Sequence, residues 1–203
     1  NAQSSEPPQA SHRIEQNLVY GMYSGLALLM DVHHPDEPNG YGVIHIAGSG
    51  YTAPLSVDAG QLKHQPGHLR HEAWPMIGAG YTVFAINHRS APRFRYPTQD
   101  EDARRAVRFI RSKADLFGID PDRIGAIGGS SGGHLVSMLA LQDGTGDPED
   151  PSPINRLSAK VQCVVARAVR AKRSGNDSQL LLGYRIMPRL GEESEEHRTA
   201  REA

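Results

Sequence analysis

The chain has little that ties it to a particular setting. Among its 203 residues there is one cysteine, Cys163, so no disulfide can form within the chain. The apolar run around it, residues 161–165, predicts a small buried core residue. Net charge is nearly absent, with 22 Lys and Arg against 23 Asp and Glu. That balance gives no field of one sign, so neither nucleic acid nor an anionic membrane surface is expected as a partner. No apolar run reaches the roughly 18 residues that a transmembrane helix needs, and no membrane span is expected. The opening residues have no periodic apolar pattern: residues 1–16 are polar and Pro-rich and read as a disordered tail, with one domain over 17–203. The small-residue start Asn1-Ala2-Gln3 suits what a cleaved export signal leaves behind, and equally an interrupted gene start. The first reading leans towards a periplasmic or secreted protein.

What the chain does have is a strand-to-helix junction of unusual composition. Residues 123–127 (RIGAI) read as a central strand and residues 135–141 (LVSMLAL) as a helix, and Gly128-Gly129-Ser130-Ser131-Gly132-Gly133-His134 lies between them. This is G-x-S-x-G in the context of a nucleophile elbow, a turn so tight that the residues two before and two after the serine must have almost no side chain. The helix that follows aims its unpaired N–H groups at developing negative charge. The pattern fits twice, as Gly128-x-Ser130-x-Gly132 and as Gly129-x-Ser131-x-Gly133. A Gly/Ser-rich loop that merely turns, or that holds a phosphate, is the plainer reading of the same residues.

Around the elbow, strand and helix signals alternate. Residues 18–23 and 26–32 predict a hairpin through Ser24-Gly25, and strands are expected over 41–47, 81–87, 123–127 and 161–165. Helices are expected over 68–77, 98–117 and after the elbow. In the second of these, Ala103, Ala106, Val107, Ile110 and Ala114 recur at three- and four-residue spacing. Such alternation predicts an α/β fold with a mostly parallel sheet, helices on both faces, an N-terminal antiparallel hairpin, and its site at the carboxyl ends of the strands.

Gly133-His134-Leu135 resembles the G-x-S-x-G-G-[HN]-L ending of the hormone-sensitive-lipase-like and acetyl-esterase-like α/β-hydrolases. Two more stretches are similar to that family in the same order. Gly48-Ser49-Gly50-Tyr51 stands where the family has H-G-G-G-aromatic, with Ala47 in place of the histidine and Ser49 in place of the middle glycine. The run His88-Arg89-Ser90-Ala91-Pro92, Tyr96-Pro97, Asp100-Glu101-Asp102-Ala103 is similar to Y-R-L-A-P…F-P…D-A. The resemblance covers residues 41–165. It implies an α/β-hydrolase fold and cleavage of carboxylic esters of small acids, acetyl esters of carbohydrate among them. Ser130 is then the nucleophile; the backbone amides of Gly48, Ser49 and Ser131 face the oxyanion, and Gly128, Gly132 and Gly133 shape the elbow. Arg89 and Asp102 tie a loop to a helix. The substrate is a small-molecule ester, and no cofactor or metal is implied.

The family's catalytic acid and histidine follow two later strands, and no corresponding pattern occurs after Val165. The chain therefore reads as an α/β-hydrolase whose C-terminal strands are missing and whose incomplete triad leaves it inactive as given. The rival reading is a noncatalytic remnant that keeps a binding cleft. Asp177 and His197 preserve the order Ser…Asp…His, but His197 lies in a charged, helix-like tail. His64, His68 and His71 suggest a metal cluster, but Pro66-Gly67 should break the helix that would align them, so a loop is expected. Asp143, Asp147, Glu149 and Asp150 read as a solvated turn rather than a calcium loop. Gly48-x-Gly50-x-x-Ala53 after a strand resembles a dinucleotide fingerprint, opposed by Pro54.

Overall fold

A computed structural model describes residues 12–167. Strands β1 (Arg13–Tyr23) and β2 (Leu26–His34) form the antiparallel hairpin that the sequence predicts. Ser24 and Gly25 have φ of 45° and 84°, the pair of left-handed residues that a two-residue hairpin turn demands. The strand starts earlier than its apolar pattern does: Arg13, Ile14 and Glu15 pair with His34, His33 and Val32 of β2 rather than belonging to a tail that runs to residue 16. Because β1 lies at the outer edge of the sheet, backbone pairing holds it while Arg13, Glu15 and Gln16 stay in solvent or at its margin. Asn17, at φ 60°, sits in a bulge of this strand and donates its amide to Asp31 Oδ1 at 2.8 Å. Residues 1–11 lie outside the described part.

The remaining strands are β3 (Gly42–Ile46), β4 (Thr82–Ile86), β5 (Ile124–Gly129) and β6 (Cys163–Arg167), in the sheet order β1-β2-β4-β3-β5-β6. The last four are mutually parallel, and β2 pairs antiparallel with β4. Every residue of β3, β4 and β5 is buried, as expected for parallel strands covered on both faces. On one face Ile44, Ile46, Phe84, Ile86 and Ile124 pack against helices α3 (Thr98–Ser112) and α5 (Ser131–Leu141). On the other, Val43, Val83 and Ile127 meet Ala73 and Ile77. Ala103, Ala106, Val107 and Ile110 supply the buried stripe of α3 that their spacing predicts.

Three expectations need correction. The helix expected over 68–77 begins at Pro66: α1 (Pro66–His68) runs into a π-helical turn at Leu69–Ala73 and then α2 (Trp74–Gly78). Pro66 occupies the first turn, where a missing N–H costs nothing, so it starts the helix instead of breaking it. The helix expected over 98–117 divides at Lys113, whose φ of −122° redirects the chain into α4 (Ala114–Phe117). This turns Phe117 onto Phe84 with ring centroids 5.0 Å apart, and Gly118 caps the turn at φ 67°. Finally, Cys163 is exposed, because β6 is the edge strand opposite β1 among the described residues and its side chains are mostly uncovered.

Candidate active site

Strand β5 ends at Gly129, helix α5 begins at Ser131, and the single residue between them is Ser130, at φ 52° and ψ −122°. That conformation is costly for a residue with a side chain and persists only where the surroundings impose it. The surroundings here are the two flanking glycines. A Cβ on Gly132 would collide with the carbonyl oxygen of Ile46, and one on Gly128 would stand 2.7 Å from that same oxygen and 2.7 Å from the Gly132 carbonyl. The elbow is thus pressed against the end of β3 with no room for a methyl group on either side. Ser130 is exposed at its tip, whereas Ser131 is buried. The Ser130 amide donates to the Arg167 carbonyl at 2.9 Å, fastening the elbow to β6.

The loop after β3 crosses directly in front of this tip. A Cβ on Gly48 would lie 2.8 Å from Ser130 Cβ and 2.5 Å from the Gly129 carbonyl oxygen, so glycine is again the residue that fits. Ser49 behaves differently from the sequence-based assignment. Its amide donates to Ser131 Oγ at 2.9 Å, and a donor already engaged must break that bond before serving an oxyanion. Ser49 is therefore a tie between loop and elbow, and Ser131 holds the other end of it. Gly50 and Tyr51 have φ of 63° and 65°; they turn the loop so that Tyr51 meets His134 edge-on at 5.8 Å and accepts the Ala91 amide on its carbonyl at 2.8 Å. No helix opens at Ala53: the chain reaches only a 3-10 turn at Leu62–His64 before α1 starts at Pro66, so the dinucleotide reading lacks the helix N-terminus it needs.

Behind the elbow lies a cluster that sequence reasoning passed over. Glu72, in the π-helical turn, is 4% exposed and takes hydrogen bonds on both oxygens: His68 Nδ1 at 3.1 Å on Oε1 and His45 Nε2 at 3.1 Å on Oε2. Burial pushes its carboxyl up, but the bonds from His45 and His68 outweigh burial and hold it below the ordinary value. The Arg167 guanidinium lies 3.8 Å from Oε1 and donates to the His71 carbonyl at 2.7 Å. Gly129 leaves space for this pair: a Cβ there would strike Glu72 Oε1 and stand 2.8 Å from His68 Cε1. The i, i+4 spacing of His68 and Glu72 lies within the helix expected over 68–77, but nothing local shows that His45 of β3 meets the same carboxylate.

The other candidates take structural places. His64 and Lys63 both bond Asp31, at 2.7 and 2.5 Å, and pin the loop before α1 to β2. Arg89 donates to Asp102 from its backbone at 2.7 Å and from its guanidinium at 2.7–3.1 Å, tying the loop to α3 as the motif implies. Asp143, Asp147 and Asp150 each accept the amide two residues on, at 2.8–3.0 Å, which makes local turns. Among the described residues no three His, Cys, Asp or Glu are gathered to hold a metal ion, and no helix is long and apolar enough to cross a membrane. Asp177 and His197 lie outside the described residues.

The geometry has close counterparts among known proteins. Residues 30–170 match the family model described as BD-FAE. A probable carboxylic ester hydrolase of Mycobacterium tuberculosis, LipM, is 34% identical over 118 residues, which cover 56% of this chain and 27% of that protein. An ethyl acetate hydrolase of Pseudomonas putida is 42% identical over 64 residues, covering 32% of this chain and 20% of the relative. The chain thus matches about a quarter of the length of these curated relatives. Among solved structures, the truncated form of a carbohydrate esterase from gut microbiota superposes with a TM-score of 0.64 at 27% identity, covering 79% of this chain and 57% of the other.

Proposed function

The chain belongs to the BD-FAE family, within the hormone-sensitive-lipase-like and acetyl-esterase-like α/β-hydrolases, and from that membership we propose that it cleaves carboxylic esters through an acyl-enzyme on Ser130. The observation that carries this reading is the conformation of Ser130: exposed at φ 52° on the turn between β5 and α5, with glycine packed on each side.

In this reading the Ser130 hydroxyl attacks the ester carbonyl carbon. The carbonyl oxygen becomes an oxyanion at the start of α5, where the Ser131 amide and the Gly48 amide stabilise it. The alcohol then departs, and water hydrolyses the acyl-enzyme by the same two steps. The small acyl group, acetyl above all, is supported by the name of one relative, the ethyl acetate hydrolase, and a carbohydrate alcohol by that of the carbohydrate esterase. A small-molecule ester is accordingly the partner.

The test is labelling with a fluorophosphonate probe alongside turnover of p-nitrophenyl acetate. Ser130→Ala should abolish both, while Ser131→Ala keeps labelling and turns over more slowly, because the tie to Ser49 is lost. A probe adduct mapped by mass spectrometry to Ser131, or turnover that survives Ser130→Ala, would refute the assignment.

A further inference from the structure

We propose that the groove between the β1–β2 hairpin, α3 and the loop of residues 145–155 binds a neutral oligosaccharide, the polymer whose esters Ser130 cleaves; the choice of ligand rests on the carbohydrate-ester reading above. The cavity measures about 560 Å³, within the roughly 300–1,000 Å³ of ligand clefts. Its described lining comes from the hairpin, the loop after β4, α3 and residues 145–155, and none of it from the elbow. It is a site apart from the nucleophile.

Charge decides what such a groove accepts. Four arginines and four carboxylates line it, so there is no field of one sign to draw in an anion or a cation. Arg89 engages two of the carboxylates, Asp102 at 2.7 Å and Glu101 at 3.0 Å. Arg105 and Arg108 are held instead by neutral acceptors. Arg105 donates to the Tyr20 carbonyl at 3.1 Å, Ser152 Oγ at 3.1 Å and Asn155 Oδ1 at 2.8 Å. Arg108 donates to the Leu157 carbonyl at 2.9 Å and the Thr145 carbonyl at 3.2 Å. A guanidinium has more N–H groups than these bonds use, so both side chains are fixed and still have donors to give. On the loop wall, Asp147 Oδ1 takes the Glu149 amide at 2.9 Å, which fixes a carboxylate with acceptor capacity to spare. Donors and acceptors set in place together match vicinal hydroxyls, each of which both donates and accepts. Because the side chains are held before a ligand arrives, binding has little left to order.

A sugar ring also has an apolar C–H face, and the groove has an aromatic ring for it. Tyr23, 46% exposed at the hairpin tip, lines the cavity. The Arg89 guanidinium lies over its ring, 4.2 Å from the centroid, and Phe94 packs perpendicular to it at 5.7 Å. Held between them, the ring keeps one orientation in the groove. The hairpin also sets where the groove opens. Met30 pairs with Ile86 at the carboxyl end of β4, so Leu28 and Tyr23, further along the hairpin, project past the rim on which Ser130 stands. In the order β2-β4-β3-β5, three strand spacings separate hairpin and elbow strand, about 14 Å at roughly 4.8 Å each. An oligosaccharide reaches across that distance and a small ester does not. A polymer anchored in the groove thus presents its ester groups to the elbow at raised effective concentration.

The experiment titrates xylohexaose, cellohexaose and hexagalacturonic acid into the nitrogen-15-labelled chain and follows amide shifts by NMR. At least one neutral hexasaccharide should shift amides of residues 21–28, 101–108 and 145–155 in a saturable way, and the acidic one should bind more weakly. Tyr23→Ala should weaken the neutral ligand by about tenfold, whereas Tyr23→Phe should keep it, since the ring rather than its hydroxyl is the platform. Asp147→Asn, a change on an exposed turn that the fold tolerates, should weaken it by about threefold. The spectra themselves report whether each variant folds, and Asp147→Asn carries the test if Tyr23→Ala does not. No saturable shift with either neutral sugar overturns the proposal, as do shifts confined to the elbow and the loop after β3. Tighter binding of the acidic sugar overturns it too, and so does a folded Tyr23→Ala or Asp147→Asn chain that binds as tightly as the parent. Binding needs no turnover, so the two readings fail separately. Saturable groove binding without fluorophosphonate labelling of Ser130 removes the hydrolase reading and upholds the groove, and labelling without groove binding removes the groove alone.

Discussion

Gly132 packs its α-carbon so close to the Ile46 carbonyl that a single methyl group has nowhere to go, whereas a methyl on Gly67, in α1, would meet nothing within 4 Å. The two positions make a controlled comparison. Gly132→Ala must push β3 away from the elbow and should destabilise the protein by at least about 3 kcal/mol. Gly67→Ala should be neutral or stabilise by up to about 1 kcal/mol, since it only removes backbone freedom from a helix. Urea unfolding midpoints of both variants check the pair. At this scale the sequence was readable where a rule is steric: Gly128 and Gly132 follow from the shape of the turn, whereas the choice of Ser130 over Ser131 rested on the resemblance carried by Gly133-His134-Leu135, because the pattern fits twice. It was unreadable where a partner is distant. Ser49 looked like an oxyanion donor because nothing local shows that Ser131 Oγ, 82 residues on, takes its amide.

Strand β2 shows what element-level alternation achieves and what it conceals. Its inward residues Leu28, Met30 and Val32 face the α3 layer, and their spacing predicts it. The intervening Asp31 and His33 are equally buried, on the opposite face, where Lys63 and His12 meet them. Polar residues at alternate positions would ordinarily face solvent; here a loop arriving from residues 61–65 covers them. Burial, reinforced by repulsion from His12, lowers His33 from 6.5 to about 4. Between those values the unfolded chain binds a proton that the folded chain refuses, so stability falls as pH drops from about 6.5 towards 4. His33 alone should cost about 2 kcal/mol at pH 5 relative to pH 7. His88 and His134, both lowered by burial, act in the same direction. Urea unfolding at pH 7 and pH 5 should show the loss, and His33→Gln should reduce it; an unchanged difference would mean that the histidine is not buried neutral.

At the scale of the molecule, the order β4-β3-β5 brings the carboxyl ends of two strands that are far apart in sequence, β3 and β5, side by side. The loop after one and the elbow after the other then form a single site, which is where parallel α/β sheets bind ligands. The alternation of strand and helix signals made this arrangement legible, including all four parallel strands. The helix that carries the His68–Glu72 pair was legible too, but its start at Pro66 was not, because Pro66 reads as a breaker unless its position in the first turn is known. The pair Asp177 and His197 falls beyond the described residues.

The hydrogen bond from the Ser130 amide to the Arg167 carbonyl has a consequence for isotope labelling. That amide exchanges with deuterated solvent only when β6 lets go of the elbow, so its protection is a clock for how often the serine's backbone comes loose. Arg167 steadies the same junction from its side chain, by donating to the His71 carbonyl. Arg167→Ala should therefore speed deuterium uptake in a peptic peptide spanning the elbow while leaving one from α3 unchanged. Equal uptake in parent and variant would mean that the strand, not the arginine, keeps the serine in place.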